Sequence, residues 1–200
     1  RYVGEEDFQK GVQLHMSRHN DRTATAEEFI ASIAEGSDRA EIEGAFTTFI
    51  EQAGVPLVTV NVDCEDESAP ELIVSQQRYA PLGSSIDPLS AEWQIPMCVR
   101  YSAGGDVSSS CSLLTERTQR IALETQSCPD WVHPNADGAG YYRFAMDDAG
   151  WQALIDVATE LSASEALVLA NSLDAALRAG EVSAETYVAG MSALLGHEAW

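Results

Sequence analysis

Lysine is almost missing from this sequence: Lys10 is the only one. Eleven basic residues stand against 32 acidic ones, for a formal net charge of −21. That balance argues against nucleic acid and anionic membrane surfaces as partners, because both favour a positive face. No run of about 18 apolar residues exists, so no segment reads as a membrane span. The sequence does not open with methionine, and its first residues do not read as a signal or transit peptide. Arg1 opens directly onto a helical pattern, and the expectation is a piece of a longer chain. The acidic residues are scattered singly or in pairs, as on a solvated surface, and the D-x-[DN]-x-[DN]-G pattern of a calcium loop is absent. C-x-x-C and G-x-S-x-G are also absent, which removes a zinc knuckle and a serine-hydrolase elbow.

What is present begins with helical periodicity. Residues 4–19 place Phe8, Val12, His15, Met16 and His19 on one face. Thr25 with Glu28 predicts a capping box for a second helix, stopped by Gly36. Ser37 is expected to cap a third helix reaching about Gln52, with Ile42, Ala45, Phe46, Phe49 and Ile50 inward. From Val55 the period becomes two. Strands are expected over 55–63, 71–79, 93–101, 110–114, 119–124 and 140–146, the Gly104-Gly105 pair marking a hairpin turn. After Asp147-Asp148 the helical period returns. Trp151, Leu154, Ile155, Ala158 and Leu161 share a face. Ser162 with Glu165 opens the next helix and Gly180 closes it, and Ser183 caps a final one. The predicted class is α+β: N-terminal helices in 1–54, an antiparallel β-sandwich in 55–146, and the start of a helical array in 147–200. The stretch Trp131–Phe144 is the seam between the sandwich and the last helices.

Candidate chemistry is sparse. His15 and His19 have the i, i+4 spacing of two ligands on one helix face. However, Met16 occupies the position where a zinc hydrolase helix carries its glutamate base, and no third ligand stands nearby. Packing is the favoured role for the pair. His133 and His197 lack ligand-type neighbours at useful spacing. A hairpin centred on Gly104-Gly105 sets Cys98 opposite Cys111, close enough to bond if the pair is non-hydrogen-bonded. By elimination Cys64 is left to pair with Cys128. An even count of cysteines in a β module points to an exported, for example periplasmic, protein; four buried thiols in a cytoplasmic one is the alternative. No catalytic residue and no metal ligand is assigned.

Several short motifs, in order, resemble the zinc aminopeptidases of the aminopeptidase N family. The family writes L-G-x-x-x-F-x-x-G-L-x-x-Y-L-x-x-H where this chain has Val3-Gly4, Phe8, Gly11, Val12 and His19. Its N-A-T-x-x-D-F is matched by Ala24-Thr25 and Glu28-Phe29. Its M-x-x-W-x-x-Q-x-G-x-P is matched by Phe46, Phe49, Gln52, Gly54 and Pro56, with Phe for Trp. Gln76, Arg78 and Tyr79 fit Q-x-R-[FY]. Trp93, Ile95 and Pro96 fit W-x-I-P, and Leu161, Ser162 and Glu165 fit L-S-x-x-[DE]. Asn135, Gly138, Gly140, Tyr141, Tyr142 and Arg143 match N-x-x-G-x-G-Y-Y-R.

The resemblance implies a parent enzyme that removes amino-terminal residues from peptides with zinc as cofactor. This chain would supply the end of its thermolysin-like catalytic domain, the sandwich and the first C-terminal helices. Its partners would be the rest of that parent chain. The family's H-E-x-x-H, its distal glutamate and its G-[AG]-M-E-N motif do not occur here; in family order they precede Arg1. The chain alone is therefore expected to bind no catalytic zinc and cleave nothing. The rival expectation is a non-enzymatic sandwich-and-helix interaction module.

Overall fold

Two glycines allow the first helices to touch backbone to backbone. In the computed structural model, which describes residues 2–66 and 69–198, α1 (Glu5–Arg18) crosses α2 (Ala26–Ser37) at Gly11 and Gly36. A Cβ on Gly36 would run into the Gly11 backbone, and one on Gly11 would come within 2.6 Å of the Ile33 Cα. Gly36 is thus not the stop that the sequence suggests. It is a packing glycine inside α2, and the helix ends at Asp38, which takes the left-handed conformation (φ 53°). Ser37 differs too. It belongs to the last turn of α2, its hydroxyl donating back to the Ile33 carbonyl at 2.7 Å. The next helix, α3 (Glu41–Glu51), starts four residues later without a side-chain cap. The capping box of Thr25 and Glu28 forms in both directions. Arg18 and Glu35 add a two-pronged exposed ion pair between α1 and α2. Ile33, Ala34 and Ile42 form a small separate core for these three helices.

The strands form two sheets. In the first the order is β5 (Thr118–Ala122), β2 (Glu71–Arg78), β1 (Pro56–Asp63), β7 (Arg143–Met146). In the second it is β4 (Asp106–Leu114), β3 (Ile95–Ala103), β6 (Trp131–His133). Among the described residues all pairings but one are antiparallel; β7 runs parallel to β1, with Leu57 opposite Arg143. Gly104 and Gly105 both have positive φ (61° and 90°), the requirement of a two-residue turn that matches strand twist. The strand after it starts at Asp106, earlier than residue periodicity alone indicates, because serines 108–110 carry no apolar alternation. Leu57 and Val58 are adjacent and both fully buried, so that end of β1 is covered on both faces.

Helices α4 (Asp148–Asp156), α5 (Ala163–Ala179) and α6 (Ala184–Leu194) follow. Asp147, Ser162 and Ser183 cap them. Gly180 closes α5 with φ 80°. The helices are not a separate body: one buried core runs from Leu57, Val74, Met97 and Val99 of the sheets through Phe144 to Trp151, Leu169 and Leu194. Phe144 stacks on Trp151 with ring centroids 5.4 Å apart, both without exposure. Such a pairing contributes about 1 kcal/mol beyond area burial. The Phe144 amide donates to the Ser172 hydroxyl of α5. No helix among the described residues is long and apolar enough to cross a membrane.

Candidate functional site

The stretch from Trp131 to Phe144 folds into a clasp. Asn135 closes it: its side-chain amide donates to the Gly140 carbonyl at 2.9 Å, and its side-chain oxygen accepts from the Gly140 amide at 2.8 Å. The Tyr142 hydroxyl donates to the Pro134 carbonyl at 2.7 Å. Burial pushes the Tyr142 phenol well above its ordinary range. Asp137 and Gly138 both have positive φ (57° and 65°), and this turn brings the Asp137 amide against α5. A Cβ on Gly140 would strike the Tyr142 ring.

At the centre of the clasp sits a buried charge. Glu165, the third residue of α5, is 1% exposed. Its Oε1 accepts from Arg100 Nε at 2.8 Å and from the Asp137 amide at 3.1 Å. Its Oε2 accepts from Arg100 Nη2 at 2.7 Å and from the Ser162 amide and hydroxyl at 3.1 and 3.0 Å. Burial alone would raise the Glu165 carboxyl; the hydrogen bonds from Arg100 and Ser162 outweigh it and hold the group below the usual carboxylate range. The Arg100 guanidinium also lies 4.9 Å over the Trp131 ring. His133 is fully buried beside them. Its Nδ1 accepts from the Asn135 amide, so the proton sits on Nε2, which faces the Glu165 carbonyl at 3.3 Å. Burial lowers the His133 pKa to about 4, so the ring is neutral. Chemically the arrangement is a latch. One carboxylate, with five donors, ties β3, the 137 turn and the α5 N-terminus together.

A second feature is an apolar cavity of about 740 Å³ between the N-terminal helices and the sheets. Phe8, Phe46 and Phe49 line one side, Ile95 and Pro96 another, and Tyr141 a third.

The histidine pair at the start of the chain is engaged in ring contacts. The His15 and His19 rings stack on each other at 4.7 Å, and His15 meets Phe29 edge-on. His19 faces Glu28 at 3.9 Å. Among the described residues no group of three or more His, Cys, Asp or Glu side chains could hold a metal ion, so these residues do not fit a catalytic zinc. The structure bonds Cys98 to Cys111 and Cys64 to Cys128. His197 is buried with its Nε2 at 2.7 Å from the Leu161 carbonyl. Sequence reasoning missed the Arg100–Glu165–His133 latch. Glu165 was legible as a helix cap, but its ion-pair partner lies 65 residues away. An arginine at the middle of an otherwise apolar strand, Val99-Arg100-Tyr101, was the available signal.

The fold defines the class: among the described residues, an α+β segment of three α-helices, two largely antiparallel sheets and three further α-helices. A model of the ERAP1-like C-terminal domain matches residues 131–199, which include the clasp and helices α4 to α6. Over 189 residues the chain is 27% identical to the puromycin-sensitive aminopeptidase of Caenorhabditis elegans, covering 94% of this chain and 20% of that protein. It is 33% identical over 159 residues to a probable M1 family aminopeptidase of Encephalitozoon cuniculi, covering 77% of this chain and 16% of the relative. Aminopeptidase N of Escherichia coli is 34% identical over 76 residues, 38% of this chain and 8% of the relative. The chain belongs to the M1 aminopeptidase family. It spans about a fifth or less of the length of these relatives.

Proposed function

We propose that this chain is the scaffold portion of a zinc-dependent aminopeptidase that removes amino-terminal residues from peptides, and that it is inactive alone. The observation that carries the reading is a contrast. Similarity to a puromycin-sensitive aminopeptidase runs over 94% of the chain, yet the sequence contains no H-E-x-x-H. In this reading residues 1–54 are the helical end of the catalytic domain, 55–146 a β-sandwich domain, and 147–200 the start of the C-terminal helical domain. Zinc is held by other parts of the parent, which are also the partners of this chain. The two disulfides fit an exported enzyme.

How the layers are joined supports the scaffold role. The Glu165 carboxylate fastens α5 to β3, and Phe144, Trp151 and Leu169 join the first C-terminal helices to the sheets in one buried core. Such a block braces what lies on either side of it. The test is Glu165→Gln in the full-length enzyme. The temperature at which activity is lost should fall, while bound zinc per chain stays unchanged. Loss of zinc at low temperature, or an unchanged inactivation temperature, would contradict the scaffold role.

A further inference from the structure

The outer edge of the second sheet is open, and its geometry is specific. β4 pairs with β3 through nine consecutive register positions and, among the described residues, has no strand on its other side. The Cys98 and Cys111 Cα atoms are 4.0 Å apart, the close spacing of a non-hydrogen-bonded antiparallel pair. The backbone of Cys111 therefore points away from β3, and so does that of every second residue: Val107, Ser109 and Leu113. The Leu113 carbonyl bears this out, being capped from outside β3 by the Gln119 side chain at 3.2 Å. Val107, Ser109 and Cys111 are exposed. They present their amides and carbonyls outward at a repeat of about 6.8 Å.

Natural sheet edges are blunted by charge, proline, bulges or brevity. The other edges of this protein follow that rule. β5 has five residues with Arg120 at its centre, β7 has four, and β6 has three. β4 does not. From Val107 to Leu114 it carries no charge and no proline, and four of its side chains are serine. The Cys98–Cys111 bond fixes its register, so the template is rigid before anything binds.

We propose that β4 is a strand-addition site for an extended, positively charged peptide segment. Backbone pairing gives the affinity, and small serine side chains leave room for any partner side chain. The sign of the partner follows from charge. The chain carries −21, and Asp106 and Glu116 are exposed at the two ends of the edge. A second copy offering its own β4 would bring −21 against −21 and set Asp106 against Leu114.

The test uses the purified chain and a fluorescein-labelled heptapeptide of alternating lysine and valine, read by anisotropy. Binding should exceed that of the glutamate-valine counterpart by about tenfold or more and weaken with salt. Ser109→Pro removes one outward amide and leaves the β3 ladder intact, so it should weaken binding about tenfold with an unchanged circular dichroism spectrum. The same lysine peptide, N-methylated at every residue, keeps its charge and has no backbone N–H left to donate on either edge; it should not bind, a control independent of how the variant folds. Equal binding of the N-methylated peptide would overturn the proposal, as would no binding at all. Chain dimerisation abolished by Ser109→Pro, with no peptide affinity, would assign the edge to a second copy instead and equally overturn it.

Discussion

Replacing Glu165 by glutamine isolates the buried charge from the helix cap. Glutamine at the third position of α5 still completes a capping box with Ser162, so the cap survives. What disappears is the negative charge facing Arg100, whose side chain is 21% exposed against 1% for Glu165. Breaking a buried pair by removing one partner costs about 3–5 kcal/mol, because the other charge is stranded. Arg100 retains some water and its contact with Trp131, so the lower end applies, about 3 kcal/mol. For a chain of this size that corresponds to a fall in Tm of roughly 6–12 °C. Urea unfolding followed by tryptophan fluorescence reads it directly, since Trp131 and Trp151 both lie in this region. Replacing both partners, as Arg100→Met with Glu165→Leu, should recover most of the loss, because the stranded charge is gone. A Glu165→Gln cost below about 0.5 kcal/mol, the scale of an exposed pair, would refute the latch.

The same site makes acid the natural denaturant. His133 is held neutral at a pKa of about 4 when folded and takes its proton near 6.5 when unfolded. The unfolded chain therefore binds more protons between those values. Stability present above pH 6.5 should fall by about 3 kcal/mol as pH drops to about 4. The lowered Glu165 carboxyl adds further loss below its ordinary range. A His133→Gln variant with an equally steep pH profile would contradict this. Removing the disulfides tests chain entropy, since Cys98–Cys111 spans a sequence separation of 13 and Cys64–Cys128 one of 64. Those loops predict losses of about 3 kcal/mol for the first and about 4 kcal/mol for the second, read from urea midpoints. Gly36→Ala should separate α1 from α2, shown by earlier proteolysis within residues 2–50, while Glu35→Ala, an exposed change, should not.

Local signals in the sequence carried far. Thr25 with Glu28, and Ser162 with Glu165, mark helix starts because the cap and its partner are three residues apart. Gly104-Gly105 marks its turn for the same reason: the conformation is decided within about four residues. Ser37 misleads because a serine hydroxyl is satisfied equally by capping a helix or by bonding back within one. Gly36 misleads because a glycine that ends a helix and one that admits another backbone look alike in sequence. The parallel pairing of β7 on β1 joins Arg143 to Leu57 across most of the sequence of the two sheets, and no local pattern encodes which strand receives it. The latch is non-local in the same way. Arg100, His133 and Glu165 come from β3, β6 and α5, and only the assembled core gives their charges a reason to meet.

In the proposed function this chain braces an aminopeptidase without containing its reactive centre. The most direct test is aminoacyl-anilide hydrolysis by the purified chain, with zinc titrated in and bound metal quantified. No turnover and no stoichiometric zinc are expected. Zinc-dependent turnover that is lost on changing His15 or His19 to alanine would contradict the proposal and make that stacked pair a genuine site.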